Sequence, residues 1–394
     1  MDFPARPTTH RRGRRPAALV LALALASPLA PRVGGAQNAY VQTNLVSDVP
    51  GLAATTDPQL VNPWGISFGP ATPFWISDAG IGVTTLYNGA GEKQALVVTI
   101  PGTGGAPSEP TGQVFNGDAT QFMLSNGSAA RFIFATTGGT IAGWNGAAGT
   151  TALTTVINSG SAAYTGLAIA GSGDAARLYA ANFAGGSVDA FDGGFNAVTT
   201  SGGFADPNLP AGYAPFNVQT LGGEVYVAYA IVDPATGEEL PGAGNGIVNV
   251  FDTNGNLLRH LTAGGPLNAP WGLTLAPAGF GSFGGSLLVG NFGDGTIHAF
   301  DPMSGALLGQ LLAPGGAPIQ NDGLWALTFG NGGAGGSPDI LYFTAGLDDE
   351  THGLFGSLQV SAVPEPATLS LVGGGLALLV GVARRRRRRR DGRG

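Results

Sequence analysis

Five asparagines and two aspartates stand just before or inside short apolar runs: Asn62, Asn116, Asp118, Asn217, Asn268, Asn321 and Asp322. Side-chain amides and carboxylates are hard oxygen donors, the ligand set of Ca²⁺ or of a small polar molecule. The competing reading is local, because Asn and Asp also hydrogen-bond to nearby backbone and cap turns that lead into strands. Asparagine cannot titrate, so acid–base catalysis would have only Asp118 and Asp322 to work with among these seven. The set therefore favours holding a ligand over converting one. His260, His298 and His352 are scattered and cysteine is absent, so neither a His/Cys metal cluster nor thiol chemistry is expected. No nucleophile elbow opens a helix. The acids of "LDDETHG" (347–353) do not follow the spacing of an EF-hand loop and read as a solvated hairpin tip. "GNGIVNVFDTNG" and "GNFGDGTIHAFD" read as hairpin turns between strands.

The elements that would carry these residues are repeats. "NPWGISF", "DATQFML", "YTGLAIA", "APFNVQTL", "APWGLTLA" and "GLWALTFG" have anchors at Trp64, Asp118, Gly166, Phe216, Trp271 and Trp325. The intervals between anchors are 54, 48, 50, 55 and 54 residues. A second apolar run follows each phrase, as in "FWISDAG" and "RLYAANFAGG", and a third run such as "SVDAFDG" alternates polar and apolar residues. A fourth closes the unit, as in "LLRHLTA" (257–263). Glycine, 68 of 394 residues, separates the runs, as turns of an all-β chain require. Four short strands in each of six units, with no long amphipathic helix, predict an all-β, six-bladed β-propeller over 38–361. The last unit lacks a fourth strand, and "NAYVQTNLVSD" (38–48) is a strand without a unit. Pairing the two would close the ring and remove an exposed edge. "PGTGGAPSEPTGQ" (101–113) and "VDPATGEELPGAGNG" (232–246) read as long loops, the second an insertion in blade 4. The inner-strand starts would share one mouth of the axial channel. Asp118 and Asp322 would then come from blades 2 and 6, where a shared ligand is geometrically open.

Both ends of the chain read as address labels. Residues 1–36 have a basic front, an uncharged stretch over 17–26 and then small residues, the pattern of a signal peptide. Residues 367–383 are uncharged and, as a transmembrane helix, would reach about 25 Å, just short of the hydrocarbon core. Seven arginines, Arg384–Arg390, follow. They stop transfer and stay cytoplasmic, leaving everything before Pro364 outside. Between the two ends, Lys93, Arg131, Arg177 and Arg259 are the basic side chains against 22 acids, a formal charge of −18. Such a surface excludes nucleic acid as a partner and suits cations.

The tail over 363–394 resembles the PEP-CTERM sorting signal of Gram-negative bacteria: Pro364-Glu365-Pro366, an apolar segment and a basic end. The resemblance implies handling by an exosortase after export. The protein would be anchored briefly in the inner membrane and then released to the cell surface or extracellular matrix, where exopolysaccharide or surface proteins are candidate partners. The middle of the chain resembles an uncharacterised bacterial propeller family through phrases such as "LVSDVPGLA", "NPWGI", "APWGL" and "GNFGDGTIHAFD". The resemblance implies the fold and no particular chemistry. Two functions are open on this reading. One is an exported binding or scaffold protein without catalysis. The other is a metal-dependent hydrolase, since propeller lactonases hold a metal with a similar axial Asn/Asp/Glu set. Against the second, those enzymes need a glutamate ligand, and no Glu stands in the inner-strand phrases.

Overall fold

The structure is a computed structural model that describes residues 39–103 and 107–361. The expected signal peptide, the Pro364-Glu365-Pro366 motif and the expected transmembrane helix lie outside the described residues. Among the described residues, no helix is long and apolar enough to cross a membrane.

Six antiparallel sheets succeed one another along the chain. Blade 1 is built from Pro63–Ser67, Phe74–Asp78, Val83–Tyr87 and Val98–Thr99, and blade 2 from Pro110–Phe115, Phe132–Thr136, Thr140–Trp144 and Leu153–Ile157. Blade 3 uses Tyr164–Ala170, Arg177–Asn182, Ser187–Asp192 and Ala197–Val198; blade 4 uses Tyr213–Leu221, Glu224–Ile231, Ile247–Phe251 and Leu257–Ala263. Blade 5 comprises Pro270–Leu275, Leu287–Asn291, Ile297–Phe300 and Leu307–Gln310. Blade 6 has Leu324–Phe329, Leu341–Gly346 and His352–Val360, and its fourth strand is the N-terminal Tyr40–Ser47. The closing strand expected from the sequence pairs antiparallel with His352–Val360, from Tyr40↔Val360 to Ser47↔Leu354. Thr55–Thr56 adds a parallel fifth strand beside it. Asp48 pins the end of the closing strand: it accepts a 2.8 Å bond from the Gly353 amide and faces His352 Nδ1 at 2.7 Å.

Each blade is buried on both faces because it has a blade on either side. Along the second strand of blade 4, Val225, Val227 and Tyr229 pack on blade 3, while Tyr226 and Ala228 pack on blade 5. The period of two therefore feeds two cores from one strand. Apolar clusters fill every seam between blades, including the closing seam between blades 6 and 1, where Val46, Leu60, Phe74, Tyr342 and Phe355 meet.

Blade 2 departs from the sequence reading. Its inner strand is Pro110–Phe115, which begins inside the stretch expected to be loop (101–113), and "DATQFML" belongs to no inner strand. With that correction the six inner strands align at Pro63, Pro110, Tyr164, Pro215, Pro270 and Leu324, each starting a register irregularity. Two residues further on come Gly65, Gly112, Gly166, Asn217, Gly272 and Ala326. Here neighbouring backbones nearly touch. A Cβ on Gly65 would lie 2.5 Å from Thr111 O, one on Gly112 2.6 Å from Gly166 C, and one on Gly272 2.6 Å from Trp325 O. At the blade 4 position, Asn217 instead donates 2.7 Å to Trp271 O of the next blade.

Gly112→Ala should therefore cost about 1–3 kcal/mol through overpacking against backbone that cannot yield. Gly146→Ala, whose added methyl would meet nothing within 4 Å, should stay within about 0.5 kcal/mol. Urea unfolding followed by tryptophan fluorescence compares them, and equal losses would refute the axial constraint.

Candidate functional site: an acidic cup on an aromatic floor

One residue before the glycine position, the inner strands carry Trp64, Thr111, Thr165, Phe216, Trp271 and Trp325. The large rings meet at the axis. Trp64 stacks on Trp325 at 3.5 Å between ring centroids, Trp271 stands edge-on to both, and Phe216 and Phe292 pack against Trp325. This cluster forms the floor of a cavity of about 660 Å³ at the mouth where the inner strands begin. Trp64, Phe183 and Phe292 show on the floor, and six carboxylates line the wall: Glu109, Glu238, Glu239, Asp322, Asp349 and Glu350. No Lys, Arg or His lines it. The acids come from blades 2, 4 and 6, and the rings from blades 1, 3 and 5.

Each acid has a local cause for its position. Glu109 immediately precedes the inner strand of blade 2, and Asp322 precedes that of blade 6. Glu238 and Glu239 ride on the blade 4 insertion, folded back by a bridge between Val232 and Glu239. Asp349 and Glu350 lie in the tight turn after Leu341–Gly346, where Asp348, Asp349 and Glu350 take φ of 49°, 50° and 65°. Three consecutive non-glycine residues in the left-handed region cost about 1–2 kcal/mol each. Their conformation is held in part by Asn62, whose amide donates 2.6 Å to Glu350 Oε2 and accepts from Trp325 Nε1 at 3.1 Å. The tip of "LDDETHG" is thus not simply solvated, for Glu350 is half-buried and turned inward.

Burial pushes the Glu239 carboxyl up to about 7, with the negative charges of Glu350 and Glu238 adding to the effect. Burial also raises Glu350, against the opposing hydrogen bond from Asn62. Crowded carboxylates beside apolar rings are held in this way.

The residues picked by spacing divide into three groups. Asp322 lines the cup, and Asn62 supports it from beneath. Asn268 braces its wall, accepting from the Gly242 amide at 2.6 Å and donating to Asp294 at 3.2 Å. Asn217 ties blade to blade, and Asn321 exchanges hydrogen bonds with Gln42 of the closing strand at 2.8 and 3.1 Å. Asn116 and Asp118 are not at this mouth. They follow the blade 2 inner strand, at its far end, where Asp118 accepts 2.8 Å from the Gly173 amide and bonds Thr120. These bonds, the Gly173 amide first, draw its carboxyl down to about 2. The structure does not bring Asp118 and Asp322 together: Asp322 lines the cup, and Asp118 lines a separate cavity with Asn116. The amides mostly serve turns and seams, and among the described residues no three His, Cys, Asp or Glu converge as a metal site. The glutamates that do define the cup escaped the spacing pattern. Glu109 was hidden by the misplaced blade 2 strand, and the others sit in loops without a period.

The class defined by this fold and site is a six-bladed propeller with an acidic axial cup. The chain belongs to the family of uncharacterized protein R648 of Acanthamoeba polyphaga mimivirus. It is 33% identical to that protein over 349 residues, covering 85% of this chain and 83% of the relative. Uncharacterized protein L690 of the same virus is 34% identical over 328 residues, covering 80% and 84%. Residues 362–388 match the PEP-CTERM protein-sorting motif. The motif marks an exported protein sorted to the cell surface and implies processing by an exosortase. Among solved structures, a protein of unknown function from Bacteroides thetaiotaomicron overlays with a TM-score of 0.50 at 10% identity, covering 82% of this chain and 76% of that one. That likeness shows the fold alone.

A folded carboxyl raised to about 7 against about 4.3 when unfolded destabilises the fold as pH climbs through that window. Glu239→Gln should leave stability unchanged near pH 4 and raise it by about 1–2 kcal/mol at pH 8, after allowance for solvent screening. Thermal melts across pH 4–8 test this; a constant difference between variant and wild type would refute it.

Proposed function

We propose that this protein is an exported binding or scaffold propeller that acts at the cell surface or in the extracellular matrix and holds its ligand in the axial cup. On this proposal the chain is organised as a signal peptide over 1–36, a propeller over 38–361 and a sorting tail over 363–394 that an exosortase removes after a transient membrane stage. The observation that carries the reading is the cup itself: a cavity of about 660 Å³ with an acidic wall and an aromatic floor. Cavities of this size with a few convergent polar groups are the usual place for a small ligand. The metal-dependent hydrolase reading gains no support from the side chains, since among the described residues no three His, Cys, Asp or Glu come together as a metal site.

Ala163 lines the cup opposite the acids of blade 6, so Ala163→Trp fills the space while keeping every carboxylate. The full-length exported protein, titrated with amino sugars, neutral sugars, polyamines and Ca²⁺, should change its tryptophan fluorescence with at least one of them. Ala163→Trp should weaken that response at least tenfold. A response unaffected by the plug would move the binding site elsewhere, and release of product from a bound sugar or lactone would make the protein an enzyme.

A further inference from the structure

Among the described residues, three of the four most exposed large apolar side chains fall within six residues: Met303 at 69%, Leu307 at 52% and Leu308 at 51%. They lie in and just before Leu307–Gln310, the outermost strand of blade 5. A strand in a packed sheet buries at least every second side chain. Here two consecutive leucines stay open, so neither side of the strand end is covered. Val41, 45% exposed, adds to them from the outer strand of blade 6, which meets this rim at the bridge between Ala39 and Leu312. Apolar side chains gathered in the open mark a contact surface.

The place where the described chain stops says what that contact is. Ser361 N donates 2.8 Å to Ala39 O, and Tyr40 N donates 2.8 Å to Leu312 O. The last described residue, the closing strand and the end of the blade 5 rim therefore share one corner. Leu308 is four residues from Leu312, about 13 Å along the strand. The sorting motif begins at residue 362, and the uncharged stretch begins at 367. Six residue steps from Ser361 reach at most about 20 Å. We infer that the outer rim of blade 5, with Met303, Leu307, Leu308 and Val41, seats on the lipid surface while the tail is inserted, which rests on the transient membrane stage proposed above. The adjoining segments suit a lipid neighbour. Residues 39–47, 303–321 and 353–361 carry no charged side chain, although 22 acids stand against four basic side chains between the two ends of the chain. The seat thus brings none of its own acids against anionic headgroups, and its leucines and methionine bury apolar area at the headgroup boundary. A second copy is the rival occupant, but the tail itself brings a lipid surface to this corner. Seated in this way the ring stands on its rim, and the cup opens along the membrane.

The chain has no cysteine, so one introduced cysteine carries a fluorophore to a single place. The full-length protein, inserted by its tail into phosphatidylcholine vesicles, is labelled at Leu308→Cys or at Ile157→Cys. Ile157 is 64% exposed at the end of the outer strand of blade 2, three places round the ring. Flotation with the vesicles first establishes insertion. A quencher carried on the lipid should then quench the Leu308 label at least fivefold more than the Ile157 label. Adding Met303→Glu and Leu307→Glu should abolish that difference, with flotation and the melting curve unchanged. Equal quenching of the two labels on floated protein overturns the rim contact and leaves the membrane stage standing. If the protein does not float, the membrane stage falls and the rim contact with it. If the Leu308 label is shielded from both lipid-borne and aqueous quenchers, a second copy covers the rim and the inference falls.

Discussion

Six inner strands surround one axis only if their backbones can almost touch, and a column of small residues makes that contact. Gly65, Gly112, Gly166 and Gly272 present no side chain to the neighbouring blade, and a methyl at any of them would strike backbone. Once the strands are that close, the residues one step earlier must fill the axis, and Trp64, Phe216, Trp271 and Trp325 do so as a ring cluster. The plug closes the mouth from below and turns a channel into a cup. Thus the glycine column sets the diameter, the diameter admits the aromatics, and the aromatics supply the floor on which the site rests.

The wall has a different origin. The floor is periodic, a consequence of strand alignment, whereas the carboxylates arrive on loops of different lengths and conformations. Glu239 needs the blade 4 insertion, and Glu350 needs three residues in left-handed backbone. The acids arrive from blades 2, 4 and 6, and burial first, then their mutual repulsion, raises Glu239 and Glu350. Rigid floor and loop-borne wall are the usual division of labour between scaffold and function.

The division also explains what could be read from the chain. Blade number, the order of strands and the closing strand follow from apolar runs of fixed spacing, and the structure has all three. Blade 2 failed locally because Pro110-Thr111-Gly112-Gln113 has a turn-like composition and lacks the aromatic of "NPWGI". Its Gly112 nevertheless occupies the same axial position, where backbone approach matters more than propensity. The asparagines were visible because they recur, but recurrence marked their work in turns and seams, as Asn217 and Asn321 show. Glu109, Glu238, Glu239 and Glu350 do not recur, and tertiary packing alone brings them together.

Closure by the N-terminal strand has a mechanical corollary. Ser361 donates to Ala39 O at 2.8 Å, so the first and last described residues sit side by side on the outer edge of blade 6. Tyr40 faces Val360 at that point, and the two strands run back from it antiparallel. A force applied between the two ends would peel this pair one hydrogen bond at a time instead of shearing all of them together. The ring is therefore weakest to tension at its own clasp, while compression toward the axis meets glycine backbone already in contact.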